Sequence, residues 1–372
     1  DPLRPADWTD LGEGLYRSDT LYAALRGDDS VIQRVFFLFK GRMQRMGRTS
    51  KGAKAPFKKP EDLRPGEWTF QAGSNSFYVR IAAGESLADA AIEIPYRANG
   101  VAIRGKKNEH LVLRNLTVTH FLNDGYNLHQ HSKHVRFENI AAFECGDDGF
   151  SAHEGCDCEV EGYRASGNST GFANGFGSHV KLKTAYLAGN HANEILQMHD
   201  STFEIRDTHV VTQAARPVVV RGNAGKGQIC RGSLENVLIQ CRADRAKPFE
   251  IGKDAVVRAN HVTTIGLSWQ VEGEADVSQC VVISGGARAV LDVKPNAVWK
   301  GRQNVYDLRA FDFQGISRGS NLRAFQEASK QDVASQQVSA ADAVVNRLAN
   351  REALFSPCGA SLAEIKLPAD LP

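Results

Sequence analysis

The chain has 372 residues, with 45 lysines and arginines against 43 aspartates and glutamates, so its formal net charge is only +2. This balance gives no reason to expect a nucleic acid or a membrane surface as a partner. No apolar run approaches the roughly 20 residues that a membrane-spanning helix needs, and the seven cysteines, an odd number, cannot form a complete disulfide framework.

Residues 1–95 show no repeat and are predicted to form a β-rich N-terminal cap. Residues 35–38 form an apolar strand, and the alternating stretches 67–70 and 76–81 indicate a β-hairpin. The first residue is Asp1, without an initiator Met or a signal peptide, which is typical of a mature or trimmed protein. We expect the protein to be secreted or periplasmic.

A basic stretch over residues 40–59 separates these strands. Its lysines, arginines, glycines and prolines favour a long loop, and an electropositive flap beside an anionic substrate is the alternative.

From about residue 101 to residue 307 the chain repeats with a period in the low twenties. Two series of short strands alternate along it. One series covers residues 111–116, 135–140, 180–183, 203–205, 229–230 and 256–257. The other covers residues 126–128, 150–152, 172–174, 195–197, 218–220, 249–251 and 269–271, in steps of 24, 22, 23, 23, 31 and 20 residues.

These half-repeats are too short for strand–helix–strand crossovers, and no amphipathic helix pattern fills the gaps. Short strands at this period, with Gly, Asn and Asp at the corners, predict an all-β fold: a right-handed, single-stranded parallel β-helix over residues 96–307. Asn174 and Gln197 fall at inward positions in this register. They indicate either an internal side-chain ladder or a register slip.

Residues 308–372 are predicted to form a C-terminal helical cap and tail. Amphipathic helices are expected over residues 321–330 and 340–350, where they would cover the open end of the coil stack.

The candidate catalytic residues are those that recur at the same phase of the repeat. Asp124 and Asp148 are 24 residues apart, as are His129 and His153, and Asp147 precedes Asp148. Strand alternation counted from residue 126 directs Asp124 and Asp148 inward. However, the glycines that follow them mark turns, and an unpaired buried carboxylate column would be costly. We therefore expect these aspartates to turn out of the coil at its corner.

Carboxyls stacked one coil apart should lie about 5 Å from each other, close to the strand spacing. Like charges at that distance oppose joint ionisation, so one carboxyl should keep its proton to a higher pH. A protonated carboxyl beside an ionised one is the equipment for glycosidic bond hydrolysis. The paired histidines can tune those pKa values, bind sugar hydroxyls or act as bases. The structural alternative is that each Asp-Gly pair only forms a turn.

Neighbouring positions on the same columns are predicted to bind the substrate: Asn127, Glu154, His199, Arg216 and Arg221. Arginines on an acidic groove suit sugar carboxylates or sulfates, and arginines that only pair with carboxylates within the coil are the alternative. No cofactor is required. A calcium ion is an alternative use of the acidic residues, with Glu154 and Asp157 joining Asp147 or Asp148.

The residues Asn123-Asp124 followed by Gly146-Asp147-Asp148 resemble the Asn-Thr-Asp and Asp-Asp motifs of polygalacturonase-type glycoside hydrolases, within the pectin-lyase-like superfamily of β-helix proteins. The resemblance implies that Asp148 or Asp147 is the general acid and that the other aspartates activate water. The family's Gly-His-Gly motif is replaced by Ser169-Thr170-Gly171, and its Arg-x-Lys motif has only Arg216 or Arg221 as stand-ins.

The function expected from the sequence is therefore that of an enzyme, a glycoside hydrolase that cleaves a polysaccharide, neutral or anionic, in a groove along the β-helix. A lyase or epimerase of uronic-acid polymers is the first alternative. A non-catalytic carbohydrate-binding module is the second. The sequence does not indicate the oligomeric state.

Overall fold

The computed structural model of the protein describes residues 4–25, 27, 29–52, 54–105, 108–243, 245–284, 289–338, 358–361 and 365. Its N-terminal block contains the strands β1 (Thr9–Asp10), β2 (Leu15–Ser18), β3 (Phe37–Phe39), β4 (Arg42–Gln44), β5 (Glu67–Gln71), β6 (Ser76–Arg80) and β7 (Ile92–Glu93). The same block contains the short helices α1 (Leu21–Ala24) and α2 (Asp29–Ile32) and two 3₁₀ turns, Pro5–Asp7 and Pro60–Asp62.

The rest of the described chain is dominated by strands. They are β8 (Val101–Arg104), β9 (Val112–Arg114), β10 (Thr117–Thr119), β11 (Tyr126–His129), β12 (Val135–Phe143), β13 (Asp148–Ala152), β14 (Asp157–Ser166), β15 (Thr170–Asn174), β16 (His179–Ala188), β17 (Asn193–Met198), β18 (Thr202–Thr212), β19 (Val218–Arg221), β20 (Cys230–Cys241), β21 (Phe249–Ile251), β22 (Ala255–Ile265), β23 (Trp269–Val271), β24 (Glu274–Ser278), β25 (Val281–Ile283), β26 (Val290–Val293), β27 (Val298–Arg302), β28 (Val305–Asp307), β29 (Ala310–Phe313), β30 (Ser317–Gly319) and β31 (Gln336–Gln337). A 3₁₀ turn (Ala224–Lys226) and the helix α3 (Leu322–Ser329) complete the set.

These strands form the predicted right-handed parallel β-helix, a solenoid of about nine turns. One sheet runs from β8 through β11, β13, β15, β17, β19, β21, β23 and β26 to β29, with each strand parallel to the next. The register confirms the predicted phase, since Tyr126 pairs with Phe150, Phe150 with Phe172 and Phe172 with Ile195. Strand β29 continues this stack beyond residue 307.

The second long sheet contains β12, β14, β16, β18, β20 and β22, whose strands are longer than the predicted segments. Each strand bends at a residue with positive φ, and these residues stack: Asn139, Gly162, Thr184, Asp207, Asn236 and His261. The bend divides each long strand between two faces of the coil. The amide of Asn139 donates to Asn115 at 2.8 Å, one coil earlier, which supports the bend with a side-chain ladder.

The interior of the coil is a continuous apolar core with a few paired amides. The rings of Phe150 and Phe172 stack with their centroids 5.2 Å apart. Asn174 and Gln197 are inward and buried, and the Asn174 amide donates to the Gln197 oxygen at 3.0 Å. The register therefore does not slip there, because Asn174 and Gln197 are paired on neighbouring strands. The Asn174 Oδ1 and Gln197 Nε2 atoms are buried without a hydrogen-bond partner.

A second buried ladder follows one corner of the coil. Asn168 Oδ1 accepts from the Cys145 amide at 2.9 Å, and Asn190 Oδ1 accepts from the Asn168 amide at 3.1 Å. Glu194 ends the ladder by accepting from the Asn190 backbone at 3.1 Å and from its side chain at 2.5 Å. Burial raises the pKa of Glu194 to about 8, so this carboxyl is mostly protonated at neutral pH.

The N-terminal block has its own core, built on the β5–β6 hairpin that the sequence predicted. Leu122 of the coil belongs to that core, and Arg34 donates to the Asn123 side chain at 2.5 Å. The block therefore packs on the corner of the coil that leads into β11. The basic stretch predicted as a loop contains the short strand β4, and its following residues cross the coil at the next turns.

The C-terminal end is covered by α3, which lies within the helix predicted over residues 321–330. The Asn321 side chain caps this helix by accepting from the Arg323 amide at 2.8 Å. Phe325 joins the main core beside Phe311 and Trp299. The helix predicted over residues 340–350 lies outside the described residues. No helix in the described part of the chain is long and apolar enough to span a membrane.

Candidate active site

Three aspartates converge where the chain turns into strands β11 and β13. Asp124 lies two residues before β11, Asp148 begins β13 and Asp147 precedes it. One carboxylate oxygen from each lies within 4.8 Å of the others, close to the spacing expected for side chains on stacked coils. Asp124, Asp147 and Asp148 are called the aspartate cluster below.

Local hydrogen bonds fix the orientation of Asp124. Its Oδ1 accepts from the Asp148 backbone amide at 3.0 Å, and its Oδ2 accepts from the Asn127 side chain. Asn127, predicted to bind substrate, thus holds a carboxyl of the cluster. The cluster faces residues outside the coil, as the sequence argument expected, but Asp124 and Asp148 are only 3 % and 1 % exposed.

Residues 49–52 of the basic stretch, called the covering turn below, bury the cluster. Lys51 Nζ contacts Asp148 Oδ1 and lies 3.2 Å from Asp147 Oδ1, and Ser50 Oγ donates to Asp147. The Lys51 backbone amide donates to Ser169 Oγ at 3.2 Å, on the following coil. Neither Ser50 nor Lys51 was predicted from the sequence, because both lie outside the repeat. The basic stretch that contains them was predicted as a loop, with a flap as the alternative.

The environment separates the protonation states of the three carboxyls. Burial raises the pKa of Asp148 to about 6, with Asp147 adding to the shift and Lys51 opposing it. Burial and the charges of Asp148 and Asp147 also raise the pKa of Asp124 well above its usual range. Burial acts on Asp147 in the same direction, but Lys51, Ser50 and Arg34 outweigh it and lower its pKa. Asp147 is therefore the carboxyl that stays ionised.

Lys51 is held in its charged form by this arrangement. Burial opposes the ammonium, yet the carboxylates of Asp148 and Asp147 raise its pKa above the usual range. The Lys51 side chain as a whole is 27 % exposed.

The predicted histidines lie at the other end of the same strands and do not join the aspartates. The rings of His129 and His153 are tilted to each other with centroids 5.0 Å apart. The row continues through Phe176 to His199, whose stacked rings are 4.0 Å apart. These four residues are called the His/Phe stack below. His153 Nε2 contacts Ser151 Oγ, and burial lowers the His153 pKa to about 4, so its ring is neutral at neutral pH.

Phe176 was not singled out from the sequence, although it is the most exposed ring of this row. It is 47 % exposed and has a φ of 53°, a backbone conformation that costs a non-glycine residue free energy. An exposed ring in such a conformation is the kind of feature that binding surfaces retain.

The remaining residues predicted to bind substrate do not form one site, and each contacts a different neighbour. Glu154 lies 3.5 Å from His129, beside the His/Phe stack. Arg216 pairs with Glu250 at 2.7 Å, so it behaves as a coil ion pair, and Arg221 contacts the sulfur of Met198 at 3.9 Å. Asp157 lies 3.8 Å from His134 instead of joining the aspartate cluster.

The aspartate cluster offers two kinds of chemistry. A protonated carboxyl beside an ionised one can serve acid and base steps on a glycosidic bond. Its oxygens also match the ligands that calcium takes, and the Asn127 Oδ1 atom is buried without a hydrogen-bond partner. Any such ion would compete with the Lys51 ammonium for Asp147 and Asp148. Glu154 and Asp157, expected to complete a calcium site, lie among histidines.

Comparisons with known proteins add no further assignment, since no family model, no curated protein and no solved structure matches this chain.

Proposed function

We propose that the protein is a glycoside hydrolase that cleaves a polysaccharide at the aspartate cluster. The observation that carries this proposal is the separation of pKa values among carboxyls within 4.8 Å: raised to about 6 for Asp148 and lowered for Asp147. Environments that push the pKa values of neighbouring carboxyls apart are how glycosidases assign their acid and base roles.

In this mechanism Asp148 is the general acid and Asp147 is the ionised partner. Asp148 transfers its proton to the glycosidic oxygen as the bond to the anomeric carbon breaks. Retaining enzymes place their two carboxyls about 5 Å apart, and inverting enzymes leave a wider gap for water. The close approach in the cluster favours retention, with Asp147 attacking the anomeric carbon. Asp148, ionised after giving up its proton, then takes a proton from the water that releases the sugar from Asp147. Asp124 acts as a positioning residue through its bond to the Asp148 amide.

Access to these carboxyls requires the covering turn to move. The turn meets the aspartate cluster through the polar side chains of Ser50 and Lys51, and its Lys51 backbone amide donates to Ser169 on the next coil. The hydroxyl groups of a hydrated sugar can replace these polar contacts when the turn opens, so that the carboxyls do not stay unpaired. Segments that open for substrate and close for reaction are common at active sites.

The His/Phe stack is proposed to bind sugar rings beside the cluster. Its rings follow the β-helix axis at 4.0–5.7 Å intervals, which suits a polysaccharide lying along that axis. We assign the coil to the pectin-lyase-like superfamily on its Asn-Asp and Asp-Asp motifs, and the protein to a secreted or periplasmic location. Both assignments are proposals.

A polysaccharide lyase or epimerase is the second candidate. The observation that favours it is the convergence of three carboxylates with the unpartnered Asn127 Oδ1, which could hold calcium against a uronate carboxylate. In that case activity depends on calcium.

The test is a panel of uronate-containing, sulfated and neutral polysaccharides, assayed both for new reducing ends and for ultraviolet absorbance of unsaturated uronates. A hydrolase forms new reducing ends without ultraviolet absorbance. The Asp148→Asn variant should no longer form them, whereas the Glu154→Gln variant should still do so. Unsaturated elimination products would establish the lyase instead. So would activity that depends on calcium and loses this dependence with Asp148→Asn or with Glu154→Gln. Full activity with Asp124, Asp147 and Asp148 all changed to Asn would refute the assignment of the site.

A further inference from the structure

The first coil of the β-helix, built from β8, β9 and β10, has an uncovered outer edge. Strand β8 ends one long sheet and pairs with β11, and β9 and β10 both pair with β12. No other strand in the described part of the chain pairs with these three. The backbone groups on their outer side therefore lack partners from a neighbouring strand. The outer side of β8, β9 and β10 is called the open end below.

The apolar core is also uncovered at the open end. By the register of β9 and β10 on β12, Leu111 and Leu116 continue the inward columns of Val135 and Ile140. Val135 and Ile140 are 0 % and 1 % exposed, whereas Leu111 and Leu116 are 37 % and 39 % exposed. A coil end that exposes both its edge strands and its core is a site for pairing with another chain, because natural proteins cover such edges.

The C-terminal end of the coil is covered instead. Trp299, Tyr306 and Phe311 are at most 5 % exposed. Phe325 of α3 packs against Trp299 and Phe311, and the Asp332 carboxylate accepts from Trp299 at 2.7 Å and from Tyr306 at 3.0 Å. Among the described residues, the open end is thus where coil strands lie unpaired around an exposed core.

The shape of the open end favours another coil as its partner. A single strand could pair with only one of the edges, and a helix has no free backbone groups along its length to offer to any of them. A surface with edge strands around an apolar centre can pair with all of the edges at once, and the open end of a second copy is such a surface. Two coils of the same hand that meet at their N-terminal ends run in opposite directions, so their edge strands pair antiparallel.

The charges at the rim of the open end suit contact between two copies. Arg104 ends β8 and Glu109 follows the next turn, and both are exposed. Neither forms an ion pair with another described residue. A two-fold axis through this corner would bring Arg104 of one copy over Glu109 of the other, so that opposite charges meet.

We propose that the protein forms a head-to-head dimer, in which the open ends of two copies of this chain stack on each other. The dimer covers Leu111 and Leu116 of both copies. It also gives the outward backbone groups of β8 a partner. Val101 donates its amide to the next coil, to Gly125 at 2.8 Å, so alternation along the strand turns the Ala102 amide toward the second copy. The dimer does not depend on the proposed hydrolase activity.

The test is sedimentation equilibrium of the full chain, which should show a dimer at micromolar concentration. Ala102→Pro removes an outward amide, and proline is tolerated on an edge strand. Leu116→Lys places a charge in the interface. Each variant should raise the dimer Kd by about tenfold or more, a loss of about 1.4 kcal/mol. Val333→Lys is the matched control, because Val333 is 83 % exposed and follows α3 at the covered end, and it should change the Kd by less than about twofold.

Hydrogen exchange of the unchanged protein locates the interface even if a variant fails to fold. Exchange in residues 101–104 should slow as the protein concentration rises, whereas exchange in β30, the edge strand at the other end of that sheet, should not. A monomer at every concentration overturns the proposal. A dimer whose Kd neither Ala102→Pro nor Leu116→Lys changes also overturns it, as does protection confined to residues away from β8, β9 and β10.

Discussion

Replacing Lys51 with Met should destabilise the protein in a manner that depends strongly on pH. Removing one partner of a buried ion pair costs about 3–5 kcal/mol, because the other charge stays buried and unpaired. The Lys51 side chain is 27 % exposed, so solvent partly screens the ion pair. We therefore expect a loss of about 3 kcal/mol at pH 8.

The loss should shrink to about 1 kcal/mol at pH 5, because each pKa unit corresponds to about 1.4 kcal/mol. The pKa of Asp148 is about 6 in the folded protein, above its unfolded value, so the folded state holds this proton at pH 5 and Lys51 then has less charge to neutralise. Stability consequently falls as pH rises toward 6. Without Lys51 to lower the Asp148 pKa, the decline should continue above pH 6. The remaining loss at pH 5 reflects Asp147, which stays ionised there.

The assay is urea unfolding of both proteins at pH 5 and pH 8. Lys58→Met, which removes an exposed ion pair to Glu67 in the same stretch, is the control and should cost less than about 1 kcal/mol at either pH. Adding Asp148→Asn to Lys51→Met should recover most of the loss at pH 8. Equal losses at the two pH values would refute the ion-pair reasoning, as would no recovery in the double variant.

Three further outcomes are expected. Glu194→Gln should flatten the fall of stability between about pH 5 and 8, because the Glu194 pKa of about 8 lies above its unfolded value, and unfolding of both proteins across that range measures it. Phe150→Ala should cost about 3–5 kcal/mol in urea unfolding, since its ring is fully buried, whereas Phe176→Ala should cost less than about 1 kcal/mol. Arg45→Met removes three anchoring bonds and should speed tryptic cleavage within residues 46–59 by about tenfold or more; unchanged cleavage would contradict the anchoring role.

The β-helix could be predicted from the sequence, because its pattern of apolar residues is local and repeats with a regular period. Tyr126, Phe150 and Phe172 recur at one phase of the repeat, and the pairing of their strands follows from that phase. Strand β14 was missed, because its buried residues are interrupted by Gly162 and by charged residues of the solvent face. The bends at Asn139 and Thr184 were also missed, because a left-handed residue in a strand has no strong sequence signature.

The position of the aspartate cluster could be predicted from the sequence, but the residues that surround and cover it could not. Asp124 and Asp148 stand 24 positions apart and Asp147 precedes Asp148, so stacking brings the three together. Lys51 lies 97 residues before Asp148, in a stretch without periodicity. Its position depends on how Arg45 anchors that stretch to carbonyls of the coil, and any residue type supplies a carbonyl. For the same reason the sequence could not show that the cluster is covered.

The most direct test of the central claim is the pH dependence of kcat/KM for polysaccharide cleavage. If Asp148 is the general acid, activity should fall on the alkaline side with an apparent pKa near 6. Asp148→Asn should abolish activity, and Lys51→Met should move the alkaline limb to higher pH, because Lys51 lowers the Asp148 pKa. An alkaline limb that Lys51→Met leaves in place, or cleavage that survives Asp148→Asn, would contradict the assignment of Asp148 as the acid.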